Sequence, residues 1–255
     1  YPHGVQTRIN QLISVANQIY AGSGVKITLR PVYHGQVGYN DSDDMDTALH
    51  HLIEKTDDAF SRVDGLRETY GADLVILFRP TQVGEGRCGL APVGGFNTDG
   101  DFSSATERNT AYSYITVDCP VDLVAAHELG HNMGLSHSHL EDGSGGTFDF
   151  STGYGVEGQF VTVMAYPGAF NTQTRLPLFS NPLQDCLGFD CGVDAEQLFG
   201  ADAVQSLNLV RHQIANYFPT QVADLPNSII STLSGEPSTA KLSIAASSDG
   251  GLSFT

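Results

Sequence analysis

Apolar residues Ile9, Leu12, Ile13, Ala16 and Ile19 recur at intervals of three and four, which puts them on one face of a 3.6-residue helix. The spacing predicts an amphipathic helix over 5–20, broken at Ser23-Gly24. The period then changes to two: Val25, Ile27 and Leu29 alternate with Lys26, Thr28 and Arg30, predicting a strand over 26–33. A helix over 45–70 follows. The acidic run NDSDDMD at 40–46 suits its start, where the helix dipole favours negative charge. Residues 72–78, ADLVILF, are apolar without a break, the pattern of a central strand covered on both faces.

The stretch GEGRCGLAPVGG at 84–95 is rich in Gly and carries Pro92, which suits an edge segment, and a polar loop runs on to about Asn109. AYSYITV at 111–117 is β-prone. Pro120-Val121-Asp122 then leads into a helix whose Leu123, Val124 and Leu129 are expected to face the core. The order α, β, α, β, edge β, β, α predicts an α/β fold (α+β by some schemes), a mixed twisted sheet layered with helices. Beyond His137 the periodicity disappears through 142–158. FVTVMA at 160–165 is a short apolar island, and Tyr166-Pro167-Gly168 and Ser180-Asn181-Pro182 read as turns. Helical spacing returns over 195–218, with Leu198, Val204, Leu207, Val210, Ile214 and Phe218 as one stripe and Pro219 as the stop. These patterns divide the chain into one domain over 1–219 and a Ser-rich extension over 220–255, a linker with the first strands of a truncated module.

A chain of 255 residues can bury a full core. With 29 acidic and 12 basic side chains it carries a formal charge of −17, which argues against nucleic acid or an anionic membrane as partner. No apolar run approaches a membrane span, and neither a signal peptide nor an initiator Met stands at Tyr1, as in a processed chain or a fragment. Cys88, Cys119, Cys186 and Cys191 permit three pairings. The close couple Cys186 and Cys191 suits a small loop staple, leaving Cys88 and Cys119 to pair across the sheet. That even count fits a secreted, oxidising setting, with four free buried thiols as the alternative. The 40–46 run lacks the Gly and terminal Glu of an EF-hand loop, so Ca2+ is compatible with the acidic loops but specified by no motif.

One segment defines a chemistry. In AHELGHNMGLSHS at 126–138, His127 and His131 are four apart and so share a helix face, a two-point clamp for a metal. Glu128 flanks the metal position without needing to ligate it, where a carboxylate can take the proton of an activated water. Gly134 lets the backbone leave the helix through a left-handed turn, and His137 can return as a third nitrogen ligand. Three ligands leave one position open, as in catalytic rather than structural zinc sites. His3, His34, His139 and His212 read as surface or core residues, and His50 and His51, adjacent on a helix, as poor joint ligands.

HELGHNMGLSH resembles the long zinc signature of the metzincin peptidases. Met164 in VTVMAYP stands where that superfamily places its Met-turn. The subfamily marks are mixed: His137-Ser138 is similar to matrixins, HNMG to reprolysins, and Met164-Ala165-Tyr166 to the Met-x-Tyr of astacins and serralysins. SGVKITLRPV, YGADLVILF, RCGLAPVGG, AHELGHNMG, TVMAYP and LFSNP occur in this order, a combination that resembles the bacterial reprolysin-like secreted metallopeptidases, including peptidyl-Asp metallopeptidases.

The resemblance implies a metzincin-like fold and a secreted zinc endopeptidase acting on protein or peptide substrates. It also implies an inhibitory propeptide in the precursor. His127, His131 and His137 are expected to hold Zn2+, with Glu128 as general base. Tyr166, by similarity to astacins and serralysins, is expected to serve as a further zinc ligand or as a hydrogen-bond donor to the tetrahedral species. Gly89, Leu90 and Ala91 are the candidate edge strand for an extended peptide. Arg175 is the nearest basic candidate for a pocket that prefers an acidic side chain. Two competing functions are a catalytically inert zinc-stabilised binding module, against which the retained Glu128 argues, and a zinc hydrolase of non-protein amides.

Overall fold

The computed structural model describes residues 4–40, 42–82, 84–143, 145–218 and 241–247. The first helix, α1 (Val5–Ser23), buries Ile9, Leu12, Ile13, Ala16 and Ile19 as the spacing predicts, and Gly24 ends it in the left-handed conformation. Val25, Ile27 and Leu29 are buried too, yet the ladder begins only at β1 (Arg30–Val37), later than the alternation suggests. Alternation reports which side chains are covered; it does not report where backbone pairing starts.

The long helix expected over 45–70 is instead three pieces. Asp44 caps α2 (Met45–Glu54) through Thr47 N at 2.7 Å, a contact typically worth about 1 kcal/mol. Lys55 then turns left-handed and Asp57 caps a short 3-10 turn, Asp58–Phe60, before α3 (Val63–Tyr70). Next come β2 (Leu74–Arg79), buried throughout, β3 (Gly89–Leu90), α4 (Ala105–Asn109) within the expected loop, β4 (Tyr112–Thr116) and α5 (Val124–Asn132). Downstream lie the two-residue strands β5 (Gly155–Val156) and β6 (Phe160–Val161), which pair with each other. A bulged hairpin of β7 (Asn181–Cys186) and β8 (Phe189–Cys191) replaces the turn expected at Ser180-Asn181-Pro182. The last helix, α6 (Ala203–Ile214), is shorter than its stripe: Val204, Leu207, Val210 and Ile214 are buried, whereas Leu198 lies exposed in the preceding loop. Pro219 falls outside the described residues, as does most of the extension. Its residues Lys241–Ser247 form β9.

The main sheet has the order β1-β9-β2-β4-β3. β9 runs parallel to β1 and to β2, β2 parallel to β4, and only the edge strand β3 is antiparallel. This mixed sheet with helices on both faces is the α/β layering expected. Leu74, Ile76 and Phe78 of β2 enter the core shared with α1, α5 and α6, while Val75 and Leu77 point to the core shared with α2 and α3. Full burial of such side chains contributes roughly 1.5–3 kcal/mol each. Arg8 of α1 locks the approach to α5: its guanidinium donates to Val117 O at 3.1 Å and Cys119 O at 2.7 Å and pairs with Asp122. No described helix is long and apolar enough to cross a membrane.

Candidate metal centre

Every residue of α5 is buried, so the helix is a fixed platform between sheet and core. His127 and His131 leave its one face four residues apart. Gly134, at φ 93°, then reverses the chain, and a Cβ there would meet Thr147 and Phe102. The reversal returns His137 to the same point. Its Nε2 lies 3.3 Å from that of His127, which lies 3.2 Å from that of His131. Among the described residues these three form the one grouping of three His, Cys, Asp or Glu side chains able to share a metal ion.

Each imidazole is held from behind through Nδ1, which donates to Val163 O at 2.8 Å in His127, to Leu135 O at 2.7 Å in His131 and to Asp142 Oδ1 at 3.2 Å in His137. The hydrogen-bond network therefore assigns Nδ1–H to all three rings and leaves three Nε2 lone pairs converging on one point. Burial, reinforced by the neighbouring histidines, holds His127 well below the usual imidazole range and brings His131 down to about 4. Converging, oriented imidazoles with no fourth protein ligand among the described residues fit a zinc ion with an open position.

Glu128 is buried beside the first histidine, and its carboxyl is raised to about 8 by that burial, against the opposing Arg87 guanidinium. Arg87 itself is paired to Asp46. The edge strand passes directly over this carboxyl: a Cβ on Gly89 would collide with the Glu128 side chain, so glycine at that position is a condition of the site. The Cys88–Cys119 disulfide pins the start of β3 to the segment leading into α5, stabilising the fold by about 3–4 kcal/mol in the chain-entropy picture. Cys186–Cys191 closes the β7–β8 hairpin, so both expected bridges are present.

Met164 is fully buried beneath the cluster, where a Cβ on Gly130, between the two helical histidines, would meet its Sδ at 2.8 Å. The preceding residue, Val163, takes a hydrogen bond from His127 and donates to Leu178 O at 2.9 Å, so the segment around Met164 both packs under the cluster and orients its first histidine. The ring of Tyr166 stands 4.7 Å from that of His137 and 5.6 Å from that of His127. Its hydroxyl is pushed up to about 12, chiefly by burial and then by Glu128. Arg175 also lies near this ring, its guanidinium 6.0 Å from the centroid.

The structure thus gathers His127, Glu128, His131, His137, Gly89, Met164, Tyr166 and Arg175; Leu90 completes the edge strand, and Ala91 lies just beyond its end. His34 lies on β1, His50 and His51 on α2, and His212 on α6; His139 bonds Gly200 O at 3.0 Å, and His3 lies outside the described residues. The described carboxylates of the 40–46 run are engaged elsewhere: Asp43 with Tyr39, Asp44 in the cap and Asp46 with Arg87; Asp41 lies outside the described residues. Four contributors escape sequence reasoning: Gly130, Glu141, Asp142 and Val163. Gly130 lies inside the histidine motif, but the others carry no spacing signal, since the contacts that matter are made by loop carboxylates and a backbone carbonyl.

The family model for reprolysin-like metallopeptidases of family M12B matches residues 2–197. A peptidyl-Asp metalloendopeptidase of Pseudomonas aeruginosa is 37% identical over 242 residues, covering 88% of this chain and 38% of the relative. One of the same name from Xanthomonas campestris is 29% identical, covering 71% of this chain and 40% of the relative. The chain thus spans about two fifths of the length of these relatives. A solved chain titled "Structure of a chaperone-substrate complex" has a TM-score of 0.61 at 21% identity, covering 84% of this chain and 35% of that one, and shares the fold.

Proposed function

The chain belongs to the reprolysin-like M12B metallopeptidases, and from that membership we propose that it is the catalytic portion of a secreted zinc endopeptidase. The observation that carries the reading is the convergence of three Nε2 atoms, each imidazole held from behind at Nδ1, beside the buried carboxyl of Glu128. His127, His131 and His137 would hold the ion. Zinc at such a site supplies a Lewis acid that polarises a carbonyl oxygen and lowers the pKa of water to about 7.

The protein's own groups do the rest. Glu128 takes the proton of the attacking water and returns it to the leaving amine nitrogen, and its buried setting makes its carboxylate a stronger base than a surface glutamate. The Tyr166 hydroxyl, protonated across the working range, donates a hydrogen bond to the carbonyl oxygen as charge develops there. An extended peptide adds to the outer edge of β3, where Gly89 brings its backbone against Glu128. Arg175, exposed at the rim beyond Tyr166, selects an acidic side chain next to the cut bond, a preference matching the name of the Pseudomonas relative. The two disulfides fit an extracellular setting, and an inhibitory propeptide belongs to the same reading.

Casein hydrolysis with and without a zinc chelator tests the activity: chelation should abolish it and added zinc restore it, while activity indifferent to chelation would refute a zinc peptidase. Profiling a peptide library with the parent and Arg175→Ala tests the pocket. The variant should lose about tenfold or more on acidic peptides and little on neutral ones, in keeping with a lost charge-assisted contact. A uniform loss would remove Arg175 from specificity.

A further inference from the structure

His127 and His131 owe their placement to α5, but His137 has no such support. It follows the Gly134 reversal in a loop outside any helix or strand, held by the isolated bridge of Ser136 with Thr152 and by single hydrogen bonds such as Thr147 N to Gly134 O at 2.8 Å, and its side chain is 21% exposed. Two consecutive carboxylates take the place of the missing helix. Asp142 accepts from His137 N at 2.9 Å and from His137 Nδ1 at 3.2 Å, so one side chain fixes both the backbone and the ring of this residue. Among the three ligands only His137 donates to an anion; the others donate to neutral carbonyls. A carboxylate behind an imidazole fixes its tautomer and strengthens it as a metal donor.

Glu141 performs the parallel task one step further out. It accepts from Ser138 N at 3.2 Å and from the Ser138 hydroxyl. It also crosses to the other segment of the site and accepts from Tyr166 N at 3.1 Å. The amides of Glu141 and Asp142 close the turn by donating to Ser138 O at 2.9 and 3.0 Å. The loop from His137 to Asp142 is therefore one hydrogen-bonded unit whose two acidic side chains reach the third ligand and the residue that follows the Met-turn. Carboxylates that served only the turn would need neither the contact to Nδ1 nor the one to Tyr166.

We propose that Glu141 and Asp142 are positioning residues: Asp142 sets the affinity of the cluster for zinc through His137, and Glu141 fixes where the Tyr166 ring stands over it. This rests on the reading of the cluster as a zinc site. The test compares the zinc-loaded parent with Asp142→Asn and Asp142→Ala, measuring zinc affinity by competition with a chromogenic chelator and thermal unfolding of each protein stripped of metal. Asp142→Asn should bind zinc about 10–100-fold more weakly while its metal-free unfolding midpoint stays within a few degrees of the parent. Affinity within twofold of the parent in both variants overturns the role of Asp142. So does a collapse of the metal-free fold, which would make the residue a structural one.

For Glu141, the parent, Glu141→Gln, Tyr166→Phe and the double variant form a cycle in kcat and KM on one peptide. Glu141→Gln should lower kcat several-fold with KM and zinc affinity unchanged, and should cost little more once the Tyr166 hydroxyl is gone. Additive losses overturn the coupling. A parent that fails to bind zinc overturns this proposal and the zinc-site reading together, whereas a tight-binding parent matched by its Asp142 variants overturns this proposal alone.

Discussion

Upstream of Gly134 the histidine cluster rests on α5, which is packed into a core of α1, β2, β4 and α6 side chains, whereas residues 137–201 contribute only short strands, one hairpin and a 3-10 turn. Both sides of the cluster are well buried, but by different means. On the upstream side apolar surface is covered at regular periods and the backbone is satisfied within helices and ladders. On the downstream side buried hydroxyls stand in for the missing ladders. Ser180 Oγ donates to Thr152 O at 2.6 Å and accepts from Ala203 N at 2.9 Å. Thr162 Oγ1 accepts from Tyr154 N at 2.9 Å, and Ser151 and Ser206 share a hydrogen bond of 2.7 Å. An irregular segment can thus position Val163 and Met164 as firmly as a helix positions His127, provided each orphan amide finds a partner.

The largest effect expected of this division falls on the helical side. Glu128→Gln removes the carboxylate proposed to carry the proton and leaves the three imidazoles and their supports untouched, so peptide cleavage should fall by about a thousandfold or more while zinc still binds, at the upper part of the range for general acid–base groups. Turnover measured on a quenched peptide, with the zinc content of the same preparation, decides it. Substantial residual activity would mean that the chemistry is not centred on α5.

A smaller loss is expected where the edge strand meets that helix. Gly89→Ala drives a methyl group toward the Glu128 carboxyl, and β3 is pinned by Cys88–Cys119, so it has little freedom to withdraw. Activity should drop by about a hundredfold, the scale of a misplacement near 1 Å at a reacting group. Zinc content should remain normal. Unchanged kinetics would show that the contact between edge strand and base is dispensable.

This contrast also explains how much could be read in advance. The faces of α1, the wholly buried β2 and the edge character of 84–95 follow from periodicity and composition, because there burial and backbone pairing share one pattern. The three histidines and Glu128 follow from a motif whose spacing is itself the geometry of a helix and a reversal, while Met164 follows only from the family resemblance. The breaks between α2 and α3 are not legible in the sequence, since Lys55 in a left-handed turn leaves no mark on hydrophobic spacing. The downstream support is hidden for a deeper reason: Ser151 and Ser180 have the composition of exposed loop, the hydroxyl of Thr162 leaves no mark within its apolar island, and only their tertiary partners reveal their roles. Asp142 and Glu141 likewise resemble ordinary surface acid until His137 and Tyr166 are brought beside them.

The two ways of building the site can be weighed directly in stability. Thr162→Val keeps the shape and removes the hydroxyl, leaving Tyr154 N without its partner, at a cost of about 1–3 kcal/mol. Ile76→Val removes one methylene from the regular core and should cost about 0.5–1.5 kcal/mol. Denaturant unfolding of both variants gives the comparison. A threonine variant no less stable than the isoleucine variant would show that buried hydroxyls do not hold the downstream side.

The smallest effect probes whether that downstream side merely supports the chemistry or takes part in it. Tyr166 belongs to it by sequence, yet its ring lies against His137 and its hydroxyl keeps its proton at neutral pH, so it can donate to a developing negative charge. Tyr166→Phe removes only that donor. Turnover should fall by about tenfold with KM nearly unchanged, because a hydrogen bond made only as charge develops does not strengthen ground-state binding. A rise in KM at constant kcat would place the hydroxyl in substrate binding. Unchanged kinetics would reduce the irregular side to a scaffold for Met164, with all of the bond-breaking left to α5.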